Sequence, residues 1–330
     1  MSEKILVSDL KCIPIQKMVF EKTCNDVAVN SFEPRNVPGE HVREDGGVYL
    51  NDVCYGKKYP NSHLDIFYPS AGKIAKRPTV IYMHGGGFVF GDKVSGDPLA
   101  VGAGRDVDFC SEVTKRGYNV VTFNYALAPE YRFPVQLEQV DQMLKFLTEN
   151  QEIYGLDMEH VFLGGGSAGA DLTEIYGTLL VNPEYARRVG VVPSIRKEQI
   201  TGLLIDEAAL SVKNFDENMD AMLGCWMGED HPSKNENVEL LMDATKWIKE
   251  NYIPSFINSS NMEVWFKDSA DSLVEVLEKN GTTHEFFFRG QECGLLEHGY
   301  MQRFASNELA RECFDCMLKF MERQMELALK

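Results

Sequence analysis

Val161-Phe162-Leu163-Gly164-Gly165-Gly166-Ser167-Ala168-Gly169-Ala170-Asp171-Leu172 decides the fold. An apolar run enters a cluster of small residues, and a helix-compatible stretch leaves it. At the centre, Gly165 to Gly169 spell G-x-S-x-G. Between a strand and a helix this pattern makes a nucleophile elbow. The turn is so sharp that Ser167 must take a strained backbone conformation, and its flanks must be small. The hydroxyl then stands at the carboxyl edge of a sheet, and the N–H of Ala168 points where a reacting oxygen would sit. Two blander readings compete. An ordinary tight turn also uses glycine and serine. Gly164 to Gly169 also match the dinucleotide fingerprint G-x-G-x-x-G, which wants an acidic residue roughly 20 positions on, ending a strand. There the chain reads Val181-Asn182-Pro183-Glu184, a loop.

Outward from the elbow, strands alternate with helices. Upstream, residues 78–83 and 119–125 read as strands, and 106–116 as a helix stopped by Gly117. Residues 134–150 carry Val135, Leu137, Val140, Met143, Leu144 and Leu147 at helical spacing. Residues 48–50 and 63–69 suggest an antiparallel hairpin. Downstream, residues 200–205, 255–258 and 284–288 read as strands. Residues 268–280 read as a helix with Asp268 as N-cap and Gly281 as its stop, and 301–329 are mostly helical. This rhythm predicts an α/β fold with a mainly parallel sheet covered on both faces. Residues 1–45 read as an arm, with a short helix near 15–20. The core is then 46–206 and 252–330, and 207–251 is a cap insertion. In the insertion, Met219, Met222, Leu223, Trp226 and Met227 form one apolar helical face. That face is expected to cover the sheet edge above Ser167, with Trp226 limiting acyl chain length.

The 330 residues, 44% of them hydrophobic, suffice for one large domain with a lid. No stretch is long and apolar enough to span a bilayer, and the first residues lack the pattern of a secretory signal. The 8 cysteines are scattered, so reduced thiols in the cytoplasm are expected rather than a disulfide framework or a zinc site. A net charge of -17 argues against nucleic-acid partners and anionic membrane surfaces. A homo-oligomer stays open.

His84-Gly85-Gly86-Gly87 follows a strand directly. Three glycines let the backbone approach a ligand and aim N–H groups at it, forming the second half of an oxyanion hole. His84 itself is read as holding the loop. Among seven histidines, only His298 combines a loop after the last strand with the edge where Ser167 emerges. The acid that orients its imidazole should follow the strand at 255–258. Candidates are Glu263, Asp268 and Asp271, with Glu263 favoured because the helix start explains the other two.

Four segments appear in order: His84-Gly85-Gly86-Gly87, Tyr125-Ala126-Leu127-Ala128-Pro129-Glu130 with Phe133-Pro134, Gly165-Gly166-Ser167-Ala168-Gly169, and His298-Gly299-Tyr300. Over residues 48–325 the chain resembles the hormone-sensitive-lipase-like α/β-hydrolases, which include carboxylesterases and acetyl esterases. The resemblance implies an eight-stranded sheet with a cap built from the arm and the insertion. It implies Ser167 as nucleophile, His298 as base, and Gly85, Gly86 and Ala168 as N–H donors. Three positions depart from the family pattern. Gly166 stands where aspartate is usual, Ala126 where arginine is frequent, and Glu263-Val264-Trp265 where Asp-Pro-Leu is common.

The expected function is a serine carboxylester hydrolase for small, short-acyl esters, needing no metal or organic cofactor. An amidase or deacetylase on the same triad, and a non-catalytic ligand-binding protein on a hydrolase scaffold, are the alternatives.

Overall fold

A computed structural model describes residues 30, 32, 34, 39–42, 46–69, 76–93, 105–212 and 214–330. Its strands are β1 (Gly39–Val42), β2 (Val48–Cys54), β3 (His63–Tyr68), β4 (Arg77–Met83), β5 (Asn119–Phe123), β6 (Leu156–Gly166), β7 (Ile200–Asp206), β8 (Ser255–Asn258) and β9 (His284–Phe287). They form one sheet in the order β1-β2-β3-β5-β4-β6-β7-β8-β9. β1, β2, β3 and β5 pair antiparallel in turn, and every pairing from β5-β4 through to β9 is parallel. The described sheet has nine strands rather than the eight implied by resemblance. The added strand, β1, falls in the stretch read as an arm and pairs Gly39 with Asn51.

The longer helices are α1 (Arg105–Lys115), α2 (Val135–Glu149), α3 (Gln151–Tyr154), α4 (Ala168–Val181), α5 (Pro183–Val189), α6 (Glu217–Met227), α7 (Glu236–Met242), α8 (Val264–Lys279) and α9 (Glu308–Ala328). The two-residue period of the strands sorts side chains onto the two faces. In β4, Ile81 and Met83 join the core under α2, α4 and α8, whereas Val80 and Tyr82 join Phe109, Phe314 and Met317 under α1 and α9. Burial on both sides explains why the central strands read as continuous apolar runs.

Helix α8 starts before the expected 268. Asp268 is therefore inside it, its carboxylate accepting the Asn214 amide at 2.7 Å, and Glu263 takes the N-cap position instead. The helix expected near 15–20 lies outside the described residues. No described helix is long and apolar enough to cross a membrane.

Candidate active site

Strand β6 delivers Ser167 in mid-sheet, at φ 55° and ψ −121°. A non-glycine residue held there costs on the order of 1–3 kcal/mol, which the surrounding contacts must offset. The Ser167 N–H donates to the Asp206 carbonyl at 2.8 Å, and the Ser167 carbonyl accepts the Asp171 N–H at 3.0 Å. The small flanks are required by close packing. A Cβ on Gly165 would lie 2.5 Å from the Gly169 carbonyl carbon, and one on Gly169 would lie 2.1 Å from the Met83 carbonyl oxygen.

The loop after β4 turns through positive φ at Gly86 and Gly87, 107° and 56°. The Gly86 carbonyl accepts the N–H groups of Val89 and Phe90 at 3.0 and 3.1 Å, closing the turn. Gly85 lies against Ser167, since a Cβ there would come 3.2 Å from the Ser167 Cβ. The N–H groups of Gly85, Gly86 and Ala168 have no carbonyl partner among the described residues. The His84 ring stacks on Tyr125 at 4.1 Å, and the Tyr125 hydroxyl donates to the His84 carbonyl at 2.8 Å. Where the loop leaves, buried Lys93 sits 2.9 Å from Asp52 and 3.1 Å from Asp65, carboxylates on β2 and β3.

His298 stacks on Phe266 of α8, centroids 4.2 Å apart, with about a third of its side chain exposed. Its Nδ1 lies 2.8 Å from Glu207 Oε2, and that oxygen also accepts the Gly299 N–H at 2.5 Å. Burial by itself would lower the His298 pKa. The charge and contact of Glu207, helped by Glu263 and Asp206, outweigh it and raise the pKa above the ordinary value.

Glu207, not Glu263, is thus the carboxylate on His298. The first residue after β7, it is almost fully buried and turns at φ 63°, which aims its side chain along the catalytic edge. Glu263 caps the start of α8 and accepts the Ser260 hydroxyl at 3.1 Å. Asp271 pairs with Lys267 one helical turn away. Sequence reasoning missed Glu207 by assigning it to the cap. Residues 208–212 are buried with it in the core. The available signal was an acidic pair, Asp206-Glu207, ending Leu203-Leu204-Ile205 at the edge where Ser167 emerges. Asp171 fixes the following turn, its Oδ1 accepting the Ala209 N–H at 2.6 Å. Burial pushes the Asp171 pKa up to about 7, against the pull of that N–H and of His298.

Helix α6 lies over the glycine loop after β4, so close that a Cβ on Gly87 would fall 2.0 Å from Met222 Sδ. Trp226, expected to bound the acyl pocket, is fully buried. It stacks on Phe88 at 3.6 Å and its indole N–H donates to Gln136 at 2.9 Å. Among the described residues no group of three His, Cys, Asp or Glu side chains converges to hold a metal.

The BD-FAE family model matches residues 64–271, well over half of the chain. Bovine (Bos taurus) arylacetamide deacetylase is 35% identical over 153 residues, which are 45% of this chain and 35% of that protein. Carboxylesterase NlhH of Mycobacterium tuberculosis is 31% identical over 148 residues, 44% of this chain and 40% of that protein. The chain thus spans well under half the length of these curated relatives. Esterase B from Lactobacillus rhamnosis shares the fold, with a TM-score of 0.71 at 20% identity, covering 87% of this chain and 89% of that one. A serine elbow at the centre of a mainly parallel sheet, the segments shared with hormone-sensitive-lipase-like esterases and the matching profile agree: the chain is an α/β-hydrolase and belongs to the BD-FAE family.

Proposed function

We propose that the chain is a serine carboxylester hydrolase acting on small, short-acyl esters. One observation carries this reading. The end of β7 serves nucleophile and base together: the Asp206 carbonyl takes the Ser167 N–H, and the next residue, Glu207, lies 2.8 Å from Nδ1 of His298.

In this mechanism Ser167 Oγ attacks the ester carbonyl while His298 Nε2 takes its proton. Glu207 orients the ring and stabilises the imidazolium. The N–H groups of Gly85, Gly86 and Ala168 hold the developing oxyanion; being backbone, they need no reorganisation as charge appears. His298 returns the proton to the departing alcohol, and water then releases the acyl group by the same route. No step needs a metal or organic cofactor. Helix α6 acts as the cap over the oxyanion loop, the partner is a small-molecule ester, and the compartment is the cytoplasm. Six free cysteines among the described residues support a reducing environment.

The test is turnover of a short p-nitrophenyl ester. Ser167→Ala should lose on the order of a million-fold in turnover. A well-folded Ser167→Ala protein that keeps wild-type turnover would end this reading. A second reading, amide hydrolysis on the same triad, is favoured by the likeness to arylacetamide deacetylase. Faster cleavage of an acetanilide than of the matching acetate ester would select it.

A further inference from the structure

Beneath the catalytic edge one residue reaches, through its side chain or its main chain, each segment of the proposed site. Asp206 is buried at the end of β7, and its Oδ2 accepts the Tyr82 hydroxyl at 2.8 Å. Tyr82 stands two residues before His84, on the strand that leads into the oxyanion loop. Gln302, four residues after His298, donates its amide to the Tyr82 hydroxyl at 2.7 Å and lies 3.5 Å from the same carboxylate oxygen. The Asp206 main chain takes the Ser167 N–H, and the next residue is Glu207. The proposed nucleophile and acid are thus one step from the Asp206 main chain, and the oxyanion loop and base one step from its carboxylate, through Tyr82 and Gln302.

The position explains a departure in the sequence. A Cβ built on Gly166 would lie 3.2 Å from the Tyr82 hydroxyl and 3.4 Å from Asp206 Oδ2. A side chain at 166 would therefore enter the space that Asp206 and Tyr82 already fill. Gly166 stands where the resembled family usually has aspartate, so a carboxylate is present behind the elbow here too, supplied by the neighbouring strand. A second carboxylate at 166 would meet the first in this buried space. Such a pair repels strongly out of water.

We propose that Asp206 is the positioning carboxylate of this site, replacing an acidic residue at 166 and holding the four catalytic segments in register. The proposal rests on the serine-hydrolase reading but is read out separately from it. Burial and the neighbouring charge of Glu207 push the Asp206 pKa up to about 6, so the side chain titrates beside the base it positions. The charged or titratable groups facing His298 are Glu207 and Asp206 from β7 and its turn, Glu263 from the β8 loop and Asp171 from α4.

The experiment uses Asp206→Asn, Asp206→Ala and the exchange Asp206→Ala with Gly166→Asp. Three quantities are read on folded protein: the rate at which a fluorophosphonate labels Ser167, the His298 titration by imidazole NMR, and ester turnover. Asp206→Ala should slow labelling and turnover by roughly 10- to 100-fold, because small misplacements of reacting groups cost that much. The exchange should recover most of the loss by returning a carboxylate to the same space. Asp206→Asn keeps the shape, carries the test if the alanine variant does not fold, and should move the His298 titration to lower pH by removing a negative neighbour. Unchanged labelling and an unmoved His298 titration in Asp206→Asn would overturn the proposal, as would an exchange variant no faster than Asp206→Ala. Labelling and titration need no turnover. A wild type that is labelled at Ser167 yet cleaves no ester would refute the hydrolase reading while leaving this one decided by the same variants.

Discussion

Phe88 and Trp226 lie face to face, ring centroids 3.6 Å and planes 8° apart, and this stack joins the glycine loop after β4 to the helix above it. Phe88 holds a positive φ of 65°, and its carbonyl accepts the Ala128 N–H at 2.8 Å. The indole is therefore part of the scaffold of the loop. Trp226→Ala should destabilise the protein by about 3–5 kcal/mol, the usual cost of emptying a large aromatic site. Turnover should fall for every ester together, because the loop loosens. Thermal unfolding with an acetyl-to-octanoyl series checks this. A variant of unchanged stability that now prefers octanoyl esters would restore the role expected from sequence.

Glu207→Gln should cut kcat by about 10⁴-fold, the loss seen when an orienting carboxylate is replaced by its amide in a serine triad. Glu263→Gln should stay within about threefold, since its carboxylate accepts the Ser260 hydroxyl rather than pairing with the His298 ring. Kinetics of the two variants on one ester decides. The opposite ranking would return the acid to the loop after β8.

The pH profile follows from the sign of the His298 shift. The base works only when neutral, and its pKa lies above the ordinary value of about 6.5. Activity should therefore be present at alkaline pH and lost as pH falls through that raised pKa. The profile of kcat/KM on folded enzyme should place its acid limb above about pH 6.5. A limb below about pH 6 contradicts the carboxylate environment described.

Asp171 gives a stability test of opposite sign. Its folded pKa is about 7, against roughly 3.9 for an exposed aspartate. Between those values the native state holds a proton that the unfolded chain has released. Stability from this group is thus present at low pH and lost as pH rises through about 7. Asp171→Asn keeps an oxygen for the Ala209 N–H and cannot ionise. Its melting temperature should change less between about pH 4 and 8 than that of the wild type, and should exceed it at the alkaline end. Parallel melting curves for the two proteins would show that Asp171 does not carry this proton.

The elbow, the glycine loop and the positions of the central strands along the chain were legible in sequence because each is written locally. Small residues must flank Ser167, and buried parallel strands read as unbroken apolar runs. The carboxylate beside His298 was not legible. Glu207 is brought to His298 by the β7 turn and by the Gly299 N–H, which it accepts across 92 positions of chain. Glu263 drew the assignment because it follows the strand where a resembled family keeps its acid. Trp226 was misread for a related reason. Helical spacing identifies an apolar face but not what it meets, and here it meets Phe88. The edge strand β1 escaped because Gly39–Val42 is short and mostly exposed, so it carries no alternating pattern.

The buried cation at the exit of the oxyanion loop bears on how this acidic protein responds to its solution. Lys93 and its partners Asp52 and Asp65 are nearly sealed from solvent, with side-chain exposures of 3–4%. Dissolved ions screen exposed charges readily and buried ones poorly. A surface carrying a net charge of -17 must respond to ionic strength, whereas the clamp that mounts the catalytic loop on β2 and β3 is insulated from it. The same enclosure keeps the Lys93 amine from acylating reagents until that hairpin opens, so the survival of this one amine reports on the integrity of the loop's mounting.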